Sequence, residues 1–507
     1  MDKNLPIKTI LIISALAYLG FIAGTSFDID GERYFTLVDD AMISMRYARN
    51  LAQGHGLTWN IGEQPVEGFT NLGWTLIMSA FHLLPFAASK ISLAVMLTSA
   101  LILLANTRVI YLITQYLLPE SKIAPTLAAF ITAFYFPMVF WSLRGMEVGL
   151  LSLLIYSALL IAISKQSPVL VSILLALAII VRIDAAIAAV LITAYLFIKN
   201  RSNALLPAIA VFASIALILV FQRLYFGDFL PLTYYQKVTG FGLFDRIRKG
   251  ILVLIEFASR DTLALLLSSL AAILFYKLQR SREILLLLGI FLAQCAYSIY
   301  VGGDYAEPET NAANRFITQG MPALIVLFSW MTSRVLSDLK TTQPRSAHAP
   351  ARANPAIPLA LGILLLISGE PWFNYAVNNA PLLKSDIRRV KLGLHIARNT
   401  DPQAVVAVHA AGQIPYYSER TIIDLLGLND PIVAKSSGHG EFYPGHNKWL
   451  YEYSITQLRP DVIADNFEPL SAFMRDNPDY EFLFSDIYVR VDSQLVNVEG
   501  LSSKEYR

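Results

Sequence analysis

Charge is scarce in this 507-residue chain: Asp, Glu, Lys and Arg make up 15% of it, against 55% hydrophobic residues. A soluble domain carries about a quarter charged residues. The shortage is uneven. Residues 72–198 hold nine charged residues in 127 positions, whereas 371–507 hold thirty in 137. The first stretch excludes a soluble globular domain, and the second reads as an ordinary one. Cysteine is nearly absent: Cys295 stands alone, which excludes an intrachain disulfide and a Cys-ligated metal or redox site. Neither sign of charge dominates, since 40 basic residues face 38 acidic ones. The basic stripe that nucleic-acid binding requires is missing. Seven histidines occur without HExxH or Cys/His ligand spacing, so no zinc site is expected. No internal repeat is visible.

Long apolar runs are what the chain does have. After Lys3 and Lys8, residues 9–25 read as an uncleaved anchor, with no small-x-small cleavage site behind them. Further runs cover about 91–117, 124–141, 147–164, 168–182, 185–198, 204–225, 250–276, 283–300, 316–334 and 356–370. Spanning hydrocarbon takes about 20 residues, so about eleven transmembrane helices are expected, with the short stretch 72–86 lying in the interface. The positive-inside rule places the N-terminus in the cytoplasm, because 120–122, 165, 199–201, 277–282 and 334–352 are mostly basic. Residues 371–507 then lie outside as a periplasmic or extracytoplasmic α/β domain. It has strands near 404–409, 461–464 and 481–491 and helical patterns at 384–398 and 447–457. Residues 1–370, with the large outer loop 26–90, form the transmembrane domain.

Almost every acidic residue of the membrane half falls in the outer connections, together with bases, aromatics and glycines. Chemistry is therefore expected on the outer side. The first loop, TLVDDAMISMRYARNLAQGHGLTWNIGEQPVEGFTNLGW, opens a helical pattern at Asp39 and Asp40, where carboxylates suit the positive helix end. Arg46, Glu67, Asn71 and Trp74 follow. Helix capping alone accounts for one such acid. Two adjacent acids beside a bilayer point to function.

This loop resembles the GT-C class of membrane glycosyltransferases, which move a sugar from a polyprenyl-phosphate donor. It is most similar to the branch containing the mycobacterial terminal arabinofuranosyltransferase. The branch pattern D-D-A-x-I-[ST]-x-R-Y-x-x-N-L-x-x-G-x-G-L-x-x-N, then V-E-G-[FY]-[ST]-N-x-x-W, is matched from Asp39 to Trp74. The similarity continues through 141–147 (WSLRGME), Arg182 to Asp184, 225–237 (YFGDFLPLTYYQK), 301–305 (VGGDY) with Arg315, 411–430 (AGQIPYYSERTIIDLLGLND) and 444–448 (PGHNK). Two departures are Ile183 between Arg182 and Asp184 where the family has proline, and Leu232 where it has asparagine.

The resemblance implies an inverting transferase in a bacterial cytoplasmic (inner) membrane. Its donor would be a polyprenyl-phosphate sugar, here arabinofuranose, and its acceptor a cell-envelope glycan or surface protein. Such chemistry needs a carboxylate base for the acceptor hydroxyl and cations for the departing phosphate. Asp39 or Asp40 is the expected base. Arg182, Lys237, Arg315 and His409 are candidates for the phosphate, with Tyr234 and Tyr235 lining the sugar pocket. Glu147, Asp304, Tyr417 and His446 join Arg46, Glu67 and Asn71 as further site candidates. Arg182 and Asp184 can also neutralise each other as a structural pair, and the tyrosines can serve an interfacial belt. A divalent cation bridging Asp39 or Asp40 to phosphate would suit oxygen ligands. Two other functions fit membrane architecture. A lipid-linked glycan polymerase or ligase shares the donor logic, and a flippase would favour mid-span charges and inverted repeats.

Overall fold

The computed structural model describes residues 5–165, 167–259, 281–304, 310, 313–341, 372, 375, 382–464, 468–475, 477–484 and 487–503. The expected span at 356–370, the basic loop beyond 341 and the run 250–276 from residue 260 onward lie outside them.

The apolar runs fold as helices. Among the described residues, five are long and apolar enough to cross a membrane: α1 (Leu5–Gly24), α4 (Ala88–Leu117), α10 (Arg201–Tyr225), α13 (Arg282–Val301) and α14 (Arg315–Thr341). A sixth crossing results if α5 (Ile123–Phe134) and α6 (Phe136–Leu143) count as one span, bent by 47°. The sequence reads 124–141 as continuous. The break has a local cause, since Pro137 sits in the first turn of α6 and has no N–H to continue the ladder of α5. The apolar helices α7 (Val148–Ser164) and α8 (Pro168–Val181) have 17 and 14 residues. At about 1.5 Å per residue they fall short of the roughly 30 Å hydrocarbon core. Helix α9 (Ala186–Lys199) is equally short.

The expected outer loop contains a hairpin, β1 (Phe27–Ile29) and β2 (Glu32–Tyr34), turned by Asp30 and Gly31 at positive φ. Two helices follow, α2 (Asp39–Ala52) and α3 (Leu72–His82). Helix α2 is buried on two sides. Ala41, Met42, Met45 and Ala48 pack into the core of the helical bundle. Ile43 and Tyr47, with Leu57, Trp59 and Phe69 of the loop, pack against Leu392, Val406, Ile414 and Ile422 of the C-terminal region.

That region is an α/β unit. Its five-stranded sheet runs β4–β3–β5–β7–β6, with β3 (Val405–Val408), β4 (Thr421–Asp424) and β5 (Val462–Ala464) parallel. Strands β6 (Tyr480–Phe484) and β7 (Ile487–Arg490) close it as an antiparallel hairpin. Helix α15 (Leu383–Asn399) and the short α16 (Gln413–Ser418) pack over it. The strand β4 is an addition to the sequence reading. So is the loop character of 447–450, the start of the stretch 447–457 where a helical pattern was expected. Lys448, fully buried, donates to the Tyr235 and Ala434 carbonyls at 2.9 and 2.7 Å, and Asn447 donates to the His439 and Glu441 carbonyls. These side chains tie a loop down instead of facing water from a helix. The helical pattern survives at 452–457, as a π-helical turn.

Gly412 permits a close approach between the two regions. A Cβ there would lie 1.8 Å from the Asp39 carbonyl oxygen, so the start of α16 meets the start of α2 only because residue 412 has no side chain.

Candidate active site

A cavity of about 180 Å3 opens where the first turn of α2, the ends of α8, α13 and α14, and the short helix α11 (Leu232–Val238) meet. Its lining includes Asp40, Ser44, Asn71, Arg182, Asp184, Tyr234, Lys237 and Arg315. The helix ends explain the concentration of charge. Each long apolar run must stop where polar groups can be satisfied, and these ends converge.

Two ladders of buried charge run through the cavity wall. In the first, Ser44 donates to Asn71 Oδ1 at 2.8 Å, and Asn71 Nδ2 donates to Glu147 Oε2 at 2.8 Å. Arg182 then bonds Glu147 Oε1 at 2.6 Å and Asp184 Oδ2 at 2.7 Å, with its guanidinium over Phe316. In the second, Arg315 grips Asp304 through two bonds of 2.5 and 2.6 Å, and its Nη1 reaches Asp40 at 3.1 Å. Arg315 also lies over the Trp141 ring. Lys237 Nζ stands 3.9 Å from Asp304. Burial, with Arg315 close by, holds the Lys237 ammonium below the usual lysine range, against the pull of Asp304 and Asp40.

Accessibility separates these groups. The side chains of Glu147, Asp184 and Asp304 are 1%, 4% and 1% exposed, whereas Asp40 is 25% and Lys237 20% exposed. A half-buried carboxylate and a half-buried ammonium, each with some exposure, therefore flank the buried Arg315–Asp304 pair. Among the described residues no three His, Cys, Asp or Glu side chains are grouped to hold a metal ion.

Other residues singled out in the sequence lie elsewhere. Asp39 turns from the cavity to the C-terminal unit, where its carboxylate accepts from the Gln413 and Gly412 N–H groups at 2.8 and 3.1 Å. It caps α16. Arg46 is buried and spends its donors on the Trp59, Pro415 and Arg420 carbonyls and on Asn60. Tyr235 donates to Asp228, and Tyr417 sits in the core and donates to the Phe35 carbonyl. His409 lies beyond β3 against Tyr451 and does not line the cavity. His446 lies in the tied-down loop; burial lowers its affinity for a proton, and the nearby charges acting on it are Asp40, Lys237 and Asp304. The loop covers the Lys237 side, because a Cβ on Gly445 would meet the Lys237 side chain at 3.4 Å.

Glu67 does not line the cavity although Gly68 does. It accepts from Gln222 Nε2 at 2.8 Å in an apolar setting that pushes its carboxyl up to about 8. A carboxyl raised in this way binds its proton more tightly folded than unfolded. Its contribution to stability is complete below about pH 4.5 and is lost as pH rises through about 8. The E67Q variant is expected to flatten that stretch of the Tm-against-pH profile. An unchanged slope would refute the assignment.

Sequence reading missed Arg144, Asp386 and Gln413. Arg144, 0% exposed, pairs with Asp386, and Gln413 donates to the same carboxylate at 2.6 Å and to the Leu37 carbonyl at 2.9 Å. Arg144 also donates to the Thr36 carbonyl at 3.1 Å. This knot holds α2 in place just before Asp39. The only sequence signal for it is that Arg144 and Gln413 fall inside the stretches 141–147 and 411–430.

The chain folds as a multi-pass helical bundle with an appended α/β unit, and solved structures share this fold. The chain resembles the archaeal oligosaccharyltransferase AglB from Archaeoglobus fulgidus, solved with an inhibitory peptide and a dolichol-phosphate. The TM-score is 0.58 at 14% identity, over 90% of this chain and 69% of that one. It also resembles ArnT from Cupriavidus metallidurans, solved bound to undecaprenyl phosphate, with a TM-score of 0.56 at 12% identity over 97% and 99% of the two chains. Residues 381–505 match a domain of unknown function, DUF8728. None of the curated protein sequences matches the chain.

Proposed function

We propose that this protein is a glycosyltransferase that moves a sugar from a polyprenyl-phosphate donor to a cell-envelope acceptor. The observation that carries the reading is the pair of accessible, oppositely charged groups, Asp40 and Lys237, on either side of the buried Arg315–Asp304 bridge. Both similar structures, AglB and ArnT, hold a polyprenyl phosphate, which supports the donor class.

In this reading Asp40 takes the proton of the acceptor hydroxyl as its oxygen attacks the anomeric carbon. The bond from that carbon to the phosphate oxygen breaks, its electron pair stays on the phosphate, and the configuration inverts. Lys237 offers an ammonium to the growing phosphate charge, in a site where a low dielectric strengthens the attraction. Arg182 and Arg315 add positive potential while their carboxylate partners fix their positions. Tyr234, half-buried in the wall, offers a ring and hydroxyl to the sugar. The outer face of the cytoplasmic membrane is the proposed location. The arabinofuranose donor implied by the first-loop pattern is the first one to test.

The test is transfer by the full-length protein in lipid nanodiscs, from synthetic polyprenyl-phosphate sugars to a glycan acceptor. Release of polyprenyl phosphate matched by glycosylated product supports the reading. Movement of the intact lipid-linked sugar across vesicles, with no product formed, would favour a flippase.

A further inference from the structure

A second cavity, of about 260 Å3, lies at the far end of α2 where that helix meets the C-terminal unit, and it does not share a lining residue with the first. Its wall includes Arg46, Arg49, Asn50, Gln53, Glu419 and Arg420, with Glu63 and Asp401 also acting on Arg46 and Arg420. Two of the arginines are structural. Arg46 and Arg420 are buried and saturated by backbone carbonyls around α16, including those of Pro415, Ser418 and Thr400. Arg49 differs. It stacks over the Tyr416 ring and spends Nη1 on the Tyr416 carbonyl and Glu419, both within 2.9 Å. Its Nε and Nη2 have no protein acceptor among the described residues. Burial lowers Arg46 to about 9, with the charge of Arg49 adding to the fall and Glu419 and Glu63 opposing it.

We propose that this cavity is an anion subsite that binds a carboxylate or phosphate group. Arg49 is the contact, Gln53 is a neutral hydrogen-bonding neighbour, and Glu419 is a counter-charge that limits affinity. Asp40 and Arg49 stand nine positions apart on one helix, about 14 Å along its axis and on opposite faces of it. An anion held at Arg49 therefore lies on a different side of α2 from the first cavity, and its binding does not depend on the transferase reading.

The experiment is direct binding to the full-length protein in nanodiscs, with three probes: trigalacturonate, its neutral methyl ester, and inorganic phosphate. Trigalacturonate is expected to bind, and the methyl ester to bind at least about 10-fold more weakly, the scale of a lost charge-assisted contact. R49Q should weaken trigalacturonate by about the same factor. E419Q should tighten it several-fold, an effect opposite in sign to a folding defect. Raising salt to about 1 M should weaken it as well. Phosphate binding with the same variant responses, and no binding of trigalacturonate, would assign the anion as a phosphate group. Equal binding of acid and ester, or indifference to both R49Q and E419Q, would overturn the proposal. Anion binding that follows these expectations in a protein without transfer activity would sink the transferase reading alone.

Discussion

Replacing Asp40 with asparagine is expected to lower sugar transfer by about a hundred- to ten-thousand-fold, the range that loss of a positioned base produces. The fold should be undisturbed, because Asp40 makes one cavity-facing ion pair, to Arg315 Nη1, which keeps both its bonds to Asp304. The neighbouring replacement, D39N, should behave differently. Asp39 is committed to the N–H groups of Gly412 and Gln413, and asparagine retains one acceptor for them. Its expected cost is about 1 kcal/mol of stability, the scale of one hydrogen bond, with transfer preserved within a few-fold. Comparing initial rates and melting temperatures of the two variants checks both statements. If D40N kept full activity, the base would have to be sought elsewhere.

The second large effect concerns folding. Arg144 and Asp386 are 0% and 1% exposed and join the turn before α7 to helix α15. Burial pushes the Asp386 carboxyl up even beside the arginine, a sign of how costly this charge would be alone. Either single replacement, R144M or D386L, leaves an uncompensated buried group and is expected to cost about 3–5 kcal/mol. The double variant removes both charges and should be markedly more stable than either single one. Thermal unfolding in detergent, read as a double-mutant cycle, measures the difference. Additive losses would show that the pair is not coupled. Because Gln413 bonds both Asp386 and the Leu37 carbonyl, the single variants should also displace the start of α2 and with it Asp40.

Much of the helical framework was readable from apolar runs, because a bilayer demands long apolar segments and leaves a strong linear signal. The pattern at 384–398 was readable because burial of one face imposes a period, and the strands near 404–409 and 461–464 because burial of both faces leaves an unbroken apolar run. The short runs that became α7 to α9 were readable too, but the helix break at Tyr135 was not, since run length does not reveal where a helix bends. The cavity was partly readable. Asp40, Asn71, Arg182, Lys237, Arg315 and Tyr234 were singled out in the sequence and meet in one place. Arg46, His409 and Tyr417 were singled out as well, and the fold spends them on carbonyls, on Tyr451 and on the core. A polar residue near a site looks the same in the sequence whether it serves substrate or backbone.

The adjacent acids show where linear reading ends. Residue type and position place both Asp39 and Asp40 at the positive end of a helix beside the membrane, and helical geometry turns them about 100° apart. Which of the two meets the cavity depends on what lies against α2 on each side, and that is settled by residues hundreds of positions away. Gly412 lets α16 press against Asp39 and consume its carboxylate, while Arg315 arrives at the end of α14 to orient Asp40. Hydropathy is additive along a chain and so survives in one dimension. The partner of a charge is a matter of packing in three.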